Sequence, residues 1–433
     1  MKTTISQLIT TALKYRTIRV KIRNATSTLN PVDIVTPVGI SDIKEEWIKK
    51  VQNGVFTNPH FEYNQELLDN AIALRPELEK LRSELNSLPA PGDYASQFIL
   101  EQIGIVLEDG IGTTYLAEAI KNGRDNDSAD IIAQKYGLPS DESVSNAIEI
   151  VLNNDAKNKF EHDIKQNHPY PQTNLDVLNG KKLEAKEIKD IFEWTMKSYP
   201  MAESWPVVIT DRCTSIDVRD KSSYGHPVIV IPENRKVTGM ELAKLAGHEI
   251  ECHWRCSVNA GLIGCLKADD ELLYEGLAAV KDKNFSRRYL EKFEINSVYY
   301  ILAMHEAMSG YSFEKVAKII YDYLPECLGD KKAAITWRYT YRVFRGITNP
   351  ENPDGYAFTK DRAYYEGWRY ARDLIDEGKE AYLNFSTLGR KSIERLMDLI
   401  DVEDIEAHVV NDRNLQEKSL EKILRCLNYN GSN

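Results

Sequence analysis

From Trp47 to about Leu152 apolar residues recur at intervals of three and four, most regularly in NQELLDNAIALRPELEKLRSELNSL. That is the period of amphipathic helices packed on a core. The proline- and glycine-bearing LPAPGDY at 88–94 divides two of them. Polar NHPYPQTN at 167–174 interrupts the helical text and predicts a boundary between an N-terminal helical region, 1–170, and a second region, 171–433. Beyond it, WPVVIT at 205–210 and HPVIVIP at 226–232 are short runs bounded by charge, glycine or proline, which predict two strands of one small sheet. From Lys236 the pattern is helical again, except for ITNPENPDGYAF at 347–358, whose length and prolines point to a functional loop. The expected class is therefore α+β, mainly α-helical. No repeat of fixed period occurs; the tripeptide shared by YEGLA at 274–278 and YEGW at 365–368 reads as chance.

The helix that follows the strands carries the first chemistry. Thr238 and Glu241 fit a capping box, and Leu242, Leu245 and Ala246 keep helical spacing up to HEIECH at 248–253. Zinc peptidases with HExxH use residues four apart, which differ by only about 40° around a helix. Here His253 lies five positions after His248, so a regular helix would turn it about 140° away. A single π-turn absorbs one residue and restores the common direction. The spacing thus predicts a distorted helix between Glu249 and His253. On their own the two histidines could equally be unrelated residues of a long helix, and Cys252, four after His248, is a second choice of ligand at regular spacing.

The next helix, ADDELLYEGLAAVKD, opens on capping Asp269 and Asp270 and sets Glu275 in line with Leu272 and Ala279. A carboxylate in an apolar stripe needs a partner cation or a hydrogen-bond network. Zinc held by His248 and His253 supplies one, which makes Glu275 the natural third ligand. Gly276 beside it permits close approach of another backbone. Two histidines and a glutamate leave a coordination position open, the arrangement of a catalytic zinc site, and Glu249 is then the general base. The expected architecture is a zincin-like catalytic region with a small sheet. Cations and phenols gather beside the long loop, at Arg342, Arg345, Lys360, Tyr364 and Tyr365, as candidates for binding substrate or stabilising an oxyanion.

Composition narrows the partners. The net charge is −11, and no lysine and arginine cluster forms a phosphate-tracking stripe, which argues against nucleic acid. No apolar run approaches the roughly 20 residues that span a bilayer. Six cysteines without a CxxC pair fit a reducing compartment, and a cytoplasmic protein is expected. The first 40 residues are basic, with Asp33 their only acid, a composition that transit peptides share.

Taken together, HEIECH, YEGLA, RVFRG, FTKD and the upstream NPHFEY resemble the zinc metallopeptidase family that contains the microtubule-associated tyrosine carboxypeptidase and bacterial "flavohemoglobin expression-modulating QEGLA motif" proteins. The resemblance covers roughly 45–400. It implies zinc at His248, His253 and Glu275, catalysis by Glu249, and a substrate-facing role for Arg345, Lys360 and Asp361, with Lys360 or Arg345 gripping a terminal carboxylate. Tyr274 departs from it, standing where many bacterial members have glutamine. The implied activity is a carboxypeptidase that removes a C-terminal residue, tyrosine or another aromatic, from a peptide or protein. Two rivals stay open: a peptidase acting from the amino end, as the HExxxH dipeptidyl-peptidase three does, and a zinc-stabilised regulator without activity.

Overall fold

In the computed structural model the chain is 71% helical, with sheets of two and three strands among the described residues, so it is a mainly α member of the α+β class. The structure describes residues 2–156, 158–159, 175–197, 199, 202–211, 213, 215–219, 226–263, 272–289, 297–385, 387–408 and 415–429. The polar segment at 167–174 and the capping Asp269 and Asp270 lie outside them. The break at 88–94 is present: one helix ends at Asn86, and Asp93 caps the next, Tyr94–Lys121, by accepting the Ser96 amide at 2.7 Å. Helices Ile5–Lys14 and Arg16–Thr26 precede the predicted helical stretch and pack into the core through Ile5, Leu8, Ile18 and Ile22.

Both predicted strands form, with three short ones the hydropathy pattern does not announce. Strand β1 (Lys182–Glu184) pairs antiparallel with β5 (Lys236–Thr238). In the second sheet β4 (Val228–Pro232) is central, parallel to β2 (Val207–Thr210) and antiparallel to β3 (Asp217–Arg219). Val228, Ile229, Val230 and Ile231 are all buried, as expected of a strand covered on both faces. Because β4 is paired on both sides, a further strand cannot add to it. The sheet edge that faces the histidine helix is β3.

Three apolar clusters hold these elements. The first joins N-terminal helices through Phe98, Ile103 and Ile111 to Leu273, Leu277 and Trp368. The second joins Trp47, Phe61 and Leu116 to Trp337, Phe344 and Phe358. The third packs the sheets and helix Ala185–Met196 against the histidine helix and the C-terminal helix Leu415–Tyr429. The candidate site lies among segments drawn from the first and third.

Candidate metal centre

Thr238 starts the histidine helix as the capping box predicts: its hydroxyl accepts the Glu241 amide at 3.2 Å, and the Glu241 carboxylate accepts the Thr238 amide at 2.7 Å. The helix is α over Gly239–Leu245, π over Ala246–Trp254 and α again over Arg255–Ile263. The expected distortion is therefore present and encloses both histidines. Its five-residue repeat sets His248 and His253 one turn apart, with ring centroids 4.7 Å from each other.

Glu275, near the start of helix Leu272–Tyr289, reaches the pair from the side, its Oε2 3.9 Å from His248 Nε2. One donor atom from each of His248, His253 and Glu275 lies within 4.8 Å of the others, a set able to hold a metal ion. Glu275 Oε2 is buried and accepts no hydrogen bond among the described residues. A buried carboxylate oxygen in that condition is costly unless a cation faces it. Nitrogen and oxygen donors of this kind suit zinc, so the residues fit the ion that the spacing predicts. Cys252 turns elsewhere. Its thiol is buried in the first cluster, donates to the Tyr274 carbonyl at 3.5 Å, and is pushed well up in pKa by burial.

Glu249 is buried beside the trio. Burial first, then the charges of Asp217 and Glu275, holds its carboxyl well above the usual range. Asp217, on β3, belongs to the site's electrostatics and carries no sequence signal, since nothing near it in the chain has motif spacing. Tyr274, the departure from the family pattern, lies against His253 with ring centroids 4.1 Å apart, its hydroxyl 3.4 Å from the His253 carbonyl oxygen. The substituted position thus backs a histidine of the trio.

The two YEG tripeptides meet. A Cβ on Gly276 would collide with the Gly367 carbonyl group and lie 2.7 Å from its Cα; one on Gly367 would collide with the Leu272 carbonyl oxygen. Helix Leu272–Tyr289 crosses helix Glu366–Asp376 at this point, backbone on backbone. The echo in the sequence is a packing contact.

Lys360 and Tyr364 sit on the 3-10 turn Thr359–Tyr364, and Lys360 Nζ is 3.8 Å from Glu275 Oε1. Burial first, then the Glu275 charge, pushes the Tyr364 phenol up, so it stays a neutral donor. Arg342 forms a paired contact with buried Asp361, Nε to Oδ2 at 2.6 Å and Nη2 to Oδ1 at 2.7 Å, and also reaches the Tyr300 and Tyr364 hydroxyls. It braces the turn, and Tyr300, which hides in the apolar run SVYYILAM, joins that brace. Arg342→Met is accordingly expected to lower the melting temperature by several degrees in a thermal scan, because Asp361 is left buried without its cation. Arg345 lies instead over the Tyr341 ring, 5.1 Å from its centroid.

Helix Asp125–Tyr136 holds the long loop at both ends. The Asp125 carboxylate accepts the Thr348 amide and hydroxyl at 2.9 Å each and the Asn349 amide at 3.0 Å. Beyond the other end of that helix, the Gly137 carbonyl accepts the Thr359 hydroxyl at 2.7 Å, and the Tyr136 and Leu138 carbonyls accept Arg362 at 2.5 and 3.1 Å.

A helix-borne histidine pair, a glutamate next to it and a second glutamate delivered by a neighbouring helix are the parts from which metal-dependent peptidases are built. The family model described as microtubule-associated tyrosine carboxypeptidase matches residues 51–404, and the chain belongs to that family. Membership implies a carboxypeptidase-type peptidase with a protein or peptide substrate. No curated protein and no solved structure matches the chain. Among the described residues no helix is long and apolar enough to cross a membrane.

Proposed function

We propose that the protein is a zinc-dependent carboxypeptidase in which His248, His253 and Glu275 hold the ion and Glu249 is the general base. The observation that carries this reading is the convergence of the three donor atoms around a buried Glu275 oxygen that accepts no hydrogen bond among the described residues. Bound zinc supplies Lewis-acid polarisation of the scissile carbonyl and acidifies water. The Glu249 carboxylate takes a proton from the attacking water, and the raised proton affinity that its burial gives it suits it to hold that proton and deliver it to the leaving nitrogen as the C–N bond breaks. The neutral Tyr364 hydroxyl is the candidate donor to the developing oxyanion.

The ammonium of Lys360 is the favoured anchor for the terminal carboxylate of the substrate, since it stands beside Glu275; Arg345, turned onto Tyr341, is the weaker choice. The rings of Tyr300 and Tyr364, 5.9 Å apart, support a preference for tyrosine or another aromatic at the C-terminus. An extended substrate is assigned to the edge of β3, because β4 is paired on both sides.

A library of peptides with varied C-termini, read by mass spectrometry, tests the activity. Zinc-loaded protein is expected to shorten free-acid peptides by one residue and to leave C-terminally amidated ones intact. Chelation of the metal is expected to abolish cleavage, and added zinc to restore it. Cleavage of amidated peptides with sparing of amino-blocked ones would replace this reading with an aminopeptidase; no cleavage by fully loaded protein would favour a regulator.

A further inference from the structure

We propose that Glu251, Lys281 and Glu380 form a buried lock that selects the π-register of the histidine helix and so fixes the direction of His253. As a statement about zinc binding it rests on the proposed function; as a statement about the helix it does not. Glu251 lies between the two histidines, its side chain only 4% exposed, and its carboxylate is 2.7 Å from Lys281 Nζ. Lys281, 11% exposed, is at the same time 2.9 Å from the carboxylate of Glu380, itself 13% exposed, on helix Glu380–Phe385. Burial works against the ammonium, and the two carboxylates outweigh it, holding its pKa above the usual lysine value.

The register argument comes from the faces of the helix. Ala243, Ala246, Ile250, Trp254 and Val258 enter the third cluster, whereas Cys252 and Cys256 enter the first. A separate polar stripe, Glu251, Arg255 and Asn259, is buried as well. Arg255 donates to the Asn384 side chain, and Asn259 donates to the Asn384 carbonyl at 2.6 Å. Were the π-turn to relax to α, residues after it would rotate by about 100° relative to those before it. Apolar contacts are non-directional and tolerate a slip of that kind by repacking. Buried ions do not, because each would lose its partner away from water. A buried ion pair is weak evidence for stability, and its best-attested use is to specify register.

The same contact sets a distance. Lys281 is on the helix that carries Glu275, so the Glu251 bond ties that helix to the π-turn next to the histidines. Glu251 and Lys281 are positioning residues, acting on the donor set through the backbone that carries it.

Amide hydrogen exchange of residues 246–254 in the metal-free protein, and zinc affinity by competition with a chromophoric chelator, test the lock. Glu251→Gln is expected to raise exchange in that segment at least tenfold, leaving helix Asp125–Tyr136 unchanged. It is also expected to weaken zinc binding by about ten- to a hundredfold, the range seen when outer partners of metal ligands are removed. Asp109→Asn, which breaks the partly buried contact with Lys135 away from the site, should lower the melting temperature without moving either readout. Should Glu251→Gln not fold, Glu380→Gln takes its place, with a smaller shift in the same direction. A folded variant whose exchange and zinc affinity both stay within twofold of the parent overturns the lock, whatever its melting temperature. If the parent takes up no zinc, the proposed function fails, and the exchange measurement still decides on the lock.

Discussion

Gly276→Ala should abolish peptide cleavage and produce a marked drop in melting temperature. The added methyl would collide with the Gly367 carbonyl group. Adding bulk to a packed core costs about 1–3 kcal/mol when side chains can move aside. Here the obstruction is backbone on a helix that cannot bend away locally, so the cost lies above that range. The damage is also aimed at the site, since the helix that must retreat carries Glu275 one residue earlier. Gly367→Ala presses on the same crossing from the other side, and the two effects should not add. A thermal scan with a zinc titration checks this. Unchanged melting and full zinc uptake in Gly276→Ala would mean that the crossing is looser than its geometry implies.

Glu249→Gln is the second large effect, and it should appear in turnover alone. The amide keeps the volume and cannot take a proton from water, so the hydrolysis rate should fall by about 10²–10⁴-fold, the share usual for general acid–base catalysis. Removing a buried group that is costly to ionise leaves stability unchanged or slightly higher. Bound metal, measured by atomic absorption, should match the parent. Full activity in the variant would remove Glu249 from the mechanism.

What the sequence discloses about this site follows its range of interaction. The capping box, the five-residue histidine interval and the glutamate in an apolar stripe are all local patterns. From them the distorted helix and the trio of His248, His253 and Glu275 can be read before any coordinates. The role of the second YEG tripeptide is not legible, because its meaning lies in a contact between helices some 90 residues apart in the chain. For the same reason Lys281 and Glu380 look like ordinary surface charges in the text, and only the fold buries them against Glu251. Arg342 carries a contact that the sequence does not announce. Its position beside the loop suggests a substrate contact, and only the fold shows that a buried aspartate 19 residues later engages it. Strand β3, three residues long, is too short to leave a hydropathy pattern, yet it is the sheet edge nearest the trio.

The grip of helix Asp125–Tyr136 on both ends of the long loop bears on how this enzyme can be divided. The turn bearing Lys360 has its shape dictated by carbonyl groups that come more than 200 residues earlier in the chain. A fragment cut at the sheet would keep His248, His253 and Glu275 and lose the scaffold that shapes the turn bearing Lys360. The N-terminal helices are in that sense part of the frame around the candidate site, and the turn bearing Lys360 cannot be transplanted as a module without them.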